Sequence, residues 1–233
     1  MNTSQQTMPD SGNRIFNSFL VQAWLVLLLA SFFGATLAGI QLTLSPKIEA
    51  NKLNETIEKV PELILGTKNA SAMTAQNQKI EIKQQFFETN VNNQKKIYNV
   101  FQARMDDQTA GWVVKASGQG YGDKIELLIG LDAPAQTITG LFIIDQKETP
   151  GLGNNIVKPV WRNQFINKST RQHLTAVKTK ASAPNEINAI TGATISSRRV
   201  CNIINQTIDN LKKPLNDAAV AHPKTSDHQQ EKK

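Results

Sequence analysis

Cysteine and histidine are scarce in this chain of 233 residues, and their scarcity excludes several kinds of site. Cys201 is the only cysteine, so neither an intrachain disulfide nor a cysteine-ligated iron–sulfur cluster can form. The three histidines, His173, His222 and His228, do not have the spacing of a zinc site. Two readings of Cys201 stay open, a nucleophile with His173 as its base or a buried apolar thiol on a helix face. We expect no resident metal.

Aromatic residues make up only 6% of the sequence, and they do not alternate with the basic residues. The formal charge of +7 therefore lacks the stacking groups of a nucleic-acid surface. An anionic membrane surface explains the basic excess more simply. No Gly-x-Gly-x-x-Gly sequence opens a helix after a strand, which argues against a nicotinamide site. We predict no nucleic-acid partner.

Charged residues are absent from residues 15–46, between Arg14 and Lys47. The apolar centre of this run covers residues 19–40, and about 20 apolar residues span the hydrocarbon core of a bilayer. A cleaved signal peptide is the alternative, but its apolar region is usually only about 7–15 residues long. We predict a transmembrane anchor over residues 15–44, preceded by a cytoplasmic N-terminal segment at residues 1–14. Basic residues on both sides leave its orientation undecided by charge.

A membrane-proximal helix and connecting region is expected at residues 45–95. Apolar residues at helical spacing predict an amphipathic helix over residues 46–65, with a plain spacer as the alternative. These apolar residues are Ile48, Leu53, Ile57 and Val60. The polar stretch that follows, from Thr67 to Lys95, is expected to contain a short strand at residues 79–86.

The remaining sequence predicts a soluble α+β domain over residues 96–213. β-Branched and aromatic residues between turn signals indicate strands at 96–103, 111–116, 124–131 and 136–145. Helices are expected from Asn154 to Phe165 and from Ile195 to Lys212, the second being followed by Pro214. Its apolar face consists of Val200, Ile203, Ile204, Ile208 and Leu211. Residues 214–233 are predicted to be a disordered polar tail.

The segment Glu148-Thr149-Pro150-Gly151-Leu152-Gly153 follows the last predicted strand. Proline fixes one backbone angle, and the two glycines permit positive φ. Such a loop can bring backbone N–H groups close to a flat ligand. A tight strand-to-helix connection without a ligand is the alternative.

A second segment, Thr191-Gly192-Ala193-Thr194, leads into the final helix, with Ser196 and Ser197 just after it. Hydroxyl groups there can cap the helix. Backbone N–H groups at a helix N-terminus also favour a phosphate, and the small residues 192 and 193 leave room for a bulky group on Thr194. A hydrolase with Thr194 or Ser196 as nucleophile would need a His or Lys base that the sequence does not place nearby.

These segments resemble the FMN-binding domain family. Thr191–Thr194 matches its Ser/Thr-Gly-Ala-Thr flavinylation signature. The chain is similar in particular to the G subunits of Rnf-type ion-translocating electron transport complexes. The similarity covers about residues 15–212 in the family's order: the N-terminal anchor, Gly118–Gly122 ahead of a strand, Glu148–Gly153, and the signature before the last helix.

The resemblance implies an FMN-binding-domain fold behind one transmembrane helix, with FMN attached covalently to Thr194 through a phosphodiester bond. It implies that three residues surround the phosphate: Thr191, Gly192 and Ala193. It places four residues near the isoalloxazine: Glu148, Thr149, Gly151 and Leu152. Gly120 and Tyr121 are further flavin-contact candidates, and a core aromatic is the alternative for Tyr121.

The implied function is that of a membrane-anchored electron carrier in an ion-translocating ferredoxin/NAD oxidoreductase complex. The implied location is a bacterial inner membrane, crossed once, with a periplasmic soluble domain. The implied partners are other subunits of the complex, membrane lipid, and a flavin transferase for maturation. Two alternatives stay open: the C subunit of a sodium-pumping quinone reductase, which shares the domain and the threonyl flavin, and a flavin-free scaffold protein.

The sequence departs from the family pattern at Asn188, where the family usually has Asp six residues before the modified threonine. That Asp belongs to the pattern associated with the flavin transferase. Gly34-Ala35-Thr36 repeats part of the signature, but Phe33 stands where Ser or Thr is required. We expect this repeat to serve helix packing in the membrane rather than flavin attachment.

Overall fold

The computed structural model describes residues 19–66, 80–91, 94–105 and 108–220. The predicted N-terminal segment 1–14 and residues 221–233 of the predicted tail lie outside these ranges. Contacts divide the chain into two units, Met1–Lys52 and Leu53–Lys233.

A single helix, α1, runs from Phe19 to Leu65. In the first unit its large apolar side chains are exposed from Trp24 to Leu44. Among the described residues, α1 is the one helix long and apolar enough to cross a membrane. The helix predicted over residues 46–65 is confirmed as the continuation of the same helix, so the spacer alternative is wrong.

Five strands of the second unit form an antiparallel sheet in which each strand pairs with the next along the chain. They are β1 (Glu81–Val91), β2 (Gln94–Met105), β3 (Gln108–Gln119), β4 (Lys124–Asp132) and β5 (Ile138–Asp145). The four strands predicted from residue 96 onwards coincide with β2 to β5. The sheet begins at β1, ahead of residue 96, because β1 pairs with β2 from Glu81 with Arg104 to Val91 with Gln94.

The last helix, α3 (Thr194–Val220), covers one face of the sheet. Its buried side chains recur at helical spacing and join those of the sheet in one apolar cluster: Val200, Ile203, Ile204, Ile208, Leu211 and Leu215. The predicted apolar face of this helix is therefore confirmed. Each fully buried aliphatic side chain contributes about 1.5–3 kcal/mol relative to exposure, so this contact fixes the helix on the sheet.

The C-terminal end of α3 differs from the prediction. The helix continues through Pro214 to Val220, so the end predicted at Lys212 was wrong, and residues 214–220 are not a disordered tail. Proline cannot donate the helical hydrogen bond to the carbonyl four residues earlier. Leu215, which is 0% exposed, offsets this loss because it packs into the apolar cluster.

The last turns of α1 cover the opposite face of the sheet. Val60, Leu63 and Ile64 are buried there in a second apolar cluster. Two sheet glycines make the approach possible: a Cβ on Gly130 would lie 2.5 Å from the Leu63 carbonyl oxygen, and one on Gly140 would lie 2.8 Å from Leu63 Cδ2. The predicted α+β class is confirmed, with helices on both faces of an antiparallel sheet.

Three short helical pieces replace the helix predicted over residues 154–165. They are a 3₁₀ turn at Gly153–Val157, the helix α2 (Pro159–Arg162) and a 3₁₀ turn at Asn163–Phe165. Pro159 lacks an N–H group, and it opens α2 as a new first turn instead of continuing the one before. The parallel strands β6 (Thr175–Val177) and β7 (Glu186–Asn188) follow and lead the chain to α3.

Candidate functional site

A cleft of about 700 Å³ opens beside the N-terminal end of α3. This volume lies within the range of roughly 300–1,000 Å³ that is typical of small-molecule sites. Segments far apart in sequence meet there, because the sheet, α3 and the loops after β5, β6 and β7 converge. The predicted site residues that line the cleft are Tyr121, Thr149, Leu152, Thr191, Gly192, Ala193 and Thr194.

A tight turn at residues 190–193 sets the entry of the chain into α3. The N–H of Ala193 donates to the carbonyl of Ile190 over 2.9 Å, and Gly192 has a φ of +78°. This left-handed backbone is one that glycine adopts readily. A Cβ on Gly192 would also lie 2.9 Å from Leu152 Cδ2, so a larger residue would have to displace the end of that side chain in addition to adopting the left-handed backbone.

Ser197 fixes the same turn from inside the helix. Its hydroxyl accepts a hydrogen bond from the N–H of Ile190 over 3.0 Å and donates one to the carbonyl of Ala193 over 3.0 Å. Ser197 thus ties the turn to the helix, and its hydroxyl does not accept an N–H of the first helical turn, as a capping group would. Thr194, the first residue of α3, is half-buried and lines the cleft.

Two cationic side chains line the cleft together with the N-terminal end of α3. Arg198 lies one helical turn after Thr194 and so shares its face of α3, and Lys178 directly follows β6. The first N–H groups of a helix have no intrahelical acceptor and carry a partial positive charge. This part of the cleft is therefore suited to an anion such as a phosphate.

The loop after β5 forms a second wall. Thr149, Leu152 and Gly153 line the cleft, and Gly153 is buried. Gly151 has a φ of +76° and serves the turn, but it is exposed and does not line the cleft. Glu148 does not line the cleft either, because its side chain is only 4% exposed and lies behind the wall.

The loop after β3 forms a third wall through Tyr121, which is 62% exposed. The core-aromatic alternative for Tyr121 is therefore wrong. Gly120 is buried and does not line the cleft. A Cβ at Gly120 would overlap Glu148 Oε1, so this glycine makes room for the buried carboxylate.

Sequence reasoning did not identify Lys178 and Arg198, which are separated by 20 positions and line the same cleft only in the folded chain. The spacing of Arg198 four residues after Thr194 was a usable signal, because such residues share a helix face. Nothing in the sequence around Lys178 indicates its place at the cleft.

The competing uses of nucleophilic residues are not supported by the geometry. Cys201 is 1% exposed, and burial raises the pKa of its thiol to about 12, so it is a poor nucleophile. His173 instead contacts Asp209, with Nε2 2.9 Å from Oδ2. The hydroxyl of Ser196 is buried and donates to the carboxylate of Glu148. The partial signature at Gly34–Thr36 lies within α1, where the Thr36 hydroxyl donates to the Phe32 carbonyl.

Comparison with known proteins agrees with this geometry. Residues 120–209 match the model of the FMN-binding domain family, so the resemblance noted in the sequence is confirmed for this region. The matched range begins at the loop that carries Tyr121 and ends within α3, and it includes every cleft-lining residue.

Among characterised relatives, the chain is similar to components of ion-translocating complexes. It is 38% identical over 114 residues to the G subunit of the Na⁺-translocating ferredoxin:NAD⁺ oxidoreductase complex of Acetobacterium woodii, an alignment covering 48% of this chain and 54% of the relative. It is 37% identical over 111 residues to the G subunit of the proton-translocating ferredoxin:NAD⁺ oxidoreductase complex of Clostridium ljungdahlii, covering 48% and 58% respectively. The alignments thus span little more than half the length of each relative.

A solved structure has the same fold. It is the crystal structure of the C subunit of the Na⁺-translocating NADH-quinone reductase from Parabacteroides distasonis. The TM-score is 0.52 at 28% identity, and the match covers 71% of this chain and 94% of that one.

Proposed function

We propose that this chain is a membrane-anchored electron carrier with FMN attached covalently to Thr194 through a phosphodiester bond. The observation that carries the proposal is the place of Thr194: it is the first residue of α3, it is half-buried, and it lines a cleft large enough for a small-molecule cofactor. The match of residues 120–209 to the FMN-binding domain family supports FMN as that cofactor.

The residues around Thr194 fit a phosphate. Arg198 and Lys178 supply positive charge, and the first turn of α3 supplies N–H groups and the positive end of the helix dipole. Gly192 and Ala193 add little side-chain bulk in front of Thr194. A phosphodiester keeps one negative charge, and these groups would stabilise it without a metal.

The other walls fit the flavin ring. Tyr121 and Leu152 present an aromatic and an aliphatic surface, and Thr149 adds a hydroxyl group at the edge of the cleft. Bound FMN supplies the redox chemistry, since its isoalloxazine accepts and donates electrons. The chain's own residues hold the ring, limit its contact with water and neutralise its phosphate.

Covalent attachment retains the flavin in an open cleft. With a flavin dinucleotide as donor, the hydroxyl oxygen of Thr194 forms the new bond to the flavin-side phosphorus and loses its proton, while the phosphoanhydride bond breaks and the nucleoside monophosphate leaves. The net change in the chain is the addition of FMN less one water. We assign the transfer to a separate flavin transferase, which is expected to recognise the turn that precedes α3.

We further propose that α1 anchors the chain in a bacterial inner membrane and that residues 53–233 face the periplasm. The exposed apolar side chains between Trp24 and Leu44 support the anchor, because only lipid or another apolar partner would cover them. An electron carrier of this kind needs an electron donor and an electron acceptor, and we place both on other subunits. The similarity to G subunits favours a ferredoxin/NAD oxidoreductase complex.

Intact mass spectrometry of the full chain, co-expressed with a flavin transferase, tests the attachment. We expect the wild-type mass to exceed the sequence mass by one FMN less one water, and Thr194→Ala to abolish the increase. Thr149→Ala is the matched control, because Thr149 also lines the cleft but lies outside the turn that precedes α3, so we expect the added mass to stay in place. An unmodified wild-type chain of normal stability would support the flavin-free scaffold instead.

A second candidate is the C subunit of a sodium-pumping quinone reductase. The solved structure from Parabacteroides distasonis favours it, because that protein shares the fold over 71% of this chain. The two candidates have the same threonyl flavin and differ in their neighbours. Purification of the tagged chain from native membranes, followed by identification of the accompanying proteins, distinguishes them: ferredoxin-oxidising partners support the first and quinone-reducing partners the second.

A further inference from the structure

Three segments of the site converge on one buried side chain, Glu148. Its Oε1 accepts hydrogen bonds from the backbone N–H groups of Tyr121 and Gly122, each over 3.0 Å. Its Oε2 accepts a hydrogen bond from the hydroxyl of Ser196, over 2.5 Å. Both oxygens are acceptors, which is the hydrogen-bonding pattern of a carboxylate.

The surrounding glycines show that the carboxylate fills its space completely. A Cβ on Gly120 would overlap Glu148 Oε1, and a Cβ on Gly153 would lie 2.8 Å from Glu148 Cβ and 2.9 Å from Ser196 Oγ. Alanine at either position would therefore displace the carboxylate or its partner. The chain is built closely around this group, although the proposed function gives it no direct part.

We propose that Glu148 is the positioning residue of the flavin site. It joins the loop that carries Tyr121 to the first turn of α3, which carries Thr194, and so fixes the aromatic wall of the cleft relative to the attachment point. It acts through these two segments rather than by contact with the ring, because it lies behind the cleft wall. This inference rests on the proposed function for its effect on flavin, but the carboxylate bridge itself exists without flavin.

Hydrogen exchange of the Tyr121 and Gly122 amides tests the bridge without flavin. The full chain is used in detergent in a Thr194→Ala background, where no flavin can be attached. We expect Glu148→Ala to speed exchange at both amides by about tenfold or more, because their acceptor is lost. Glu148→Gln keeps an acceptor oxygen for the two amides, so we expect a much smaller acceleration.

Asp132→Ala is the matched control for Glu148→Ala. Asp132 Oδ1 likewise accepts two backbone N–H groups, those of Gln136 and Thr137, but Asp132 is the last residue of β4 and does not line the cleft. We expect this change to speed exchange at residues 136 and 137 and to leave Tyr121 and Gly122 unchanged. Faster exchange at Tyr121 and Gly122 in this control would show general loosening and would overturn a local role for Glu148.

The flavin-loaded chain gives the second readout. Glu148→Gln removes a buried negative charge beside the cleft, so we expect the midpoint potential of the flavin to become more positive, since reduction adds negative charge. Ser196→Ala keeps that charge and frees only the α3 side of the bridge, so we expect a changed visible absorption spectrum with a smaller change in potential. Asp132→Asn is expected to leave both unchanged.

The outcomes separate the two proposals. A wild-type chain without flavin, combined with faster amide exchange in Glu148→Ala, would overturn the proposed function and leave the bridge standing. A flavin-loaded wild type with unchanged exchange, spectrum and potential in Glu148→Ala and Ser196→Ala would overturn the positioning role. Should Glu148→Ala fail to fold, Ser196→Ala decides the question, because it removes only one of the three hydrogen bonds.

Discussion

At the scale of single residues, Asn188 shows how a departure from the family pattern is accommodated. Its Oδ1 accepts a hydrogen bond from the N–H of Ala181 over 2.7 Å, and its Nδ2 donates to Gln164 Oε1 over 2.8 Å. Gln164 Oε1 also accepts the backbone N–H of Asn188. The amide at residue 188 is thus both acceptor and donor, whereas the Asp usual in the family would supply acceptors alone.

We predict that Asn188→Asp destabilises the chain although it restores the residue usual in the family. The new carboxylate oxygen would face Gln164 Oε1, and rotation of the Gln164 amide would place its N–H₂ group against the N–H of Asn188. For this exposed pair we expect a loss of about 1 kcal/mol in the free energy of unfolding, measured by denaturant titration.

Gln164→Ala is the control for this pair, because it removes the opposing oxygen. In that background we expect Asn188→Asp to cost much less than in the wild type, as a double-mutant cycle would show. A cost that is the same in both backgrounds would contradict the proposed pairing.

At the scale of secondary-structure elements, the connection between β6 and β7 depends on one carboxylate. Glu186, at the start of β7, accepts hydrogen bonds from the N–H groups of Ser182 and Ala183. These bonds are the main cause of a lowered pKa for the Glu186 carboxyl, below its ordinary value of 4.5. This connection begins at Lys178, which lines the cleft, and ends at β7, which leads to the turn before α3. Loss of order in the connection would therefore disturb the cleft.

The sign of the pH effect follows from linkage. Because the pKa is lowered in the folded chain, the unfolded chain binds the proton more readily, and Glu186 stabilises the fold at pH values above 4.5. This contribution is lost as the pH falls through the lowered pKa. We predict that the melting temperature of Glu186→Gln is below that of the wild type at pH 7 and that the difference shrinks as the pH falls below 4.5. A difference that stays constant over this range would contradict the assignment.

At the scale of the whole molecule, the second unit buries apolar side chains on both faces of its sheet, against α3 on one face and against residues 53–65 of α1 on the other. The boundary between the two units falls at Lys52, within α1 and ahead of the residues that contact the sheet. The last turns of α1 therefore belong to the folded domain, while the preceding turns present apolar side chains to their surroundings.

Two truncated chains test this division. We predict that residues 53–233 form a folded, monomeric domain without detergent, whereas residues 66–233 are less stable by several kcal/mol. The second chain loses Val60, Leu63 and Ile64, which are 0%, 5% and 9% exposed, and each buried aliphatic side chain contributes about 1.5–3 kcal/mol. Denaturant unfolding of the two chains measures the difference, and equal stability would show that these turns of α1 do not belong to the domain.

The extent of prediction from sequence varies with the range of the interactions. Hydropathy and turn residues predicted the two helical stretches that join in α1, the strands β2 to β5, the apolar face of α3 and the α+β class, because each pattern is local. The end of α3 was missed because Leu215 packs against the distant sheet strongly enough to offset Pro214. The helix predicted over residues 154–165 was divided by Pro159, whose local effect outweighed the apolar spacing.

By itself, the sequence determined which residues are available at the site, namely a threonine directly after Gly192 and Ala193 and a glycine-containing loop. It also determined the match to a flavin-binding family. Only the tertiary structure decided their geometry. It turned Tyr121 into the cleft and placed Glu148 behind its wall. It also placed Lys178 and Arg198 in the lining of one cleft, because a sheet and a helix bring together residues that no local pattern relates.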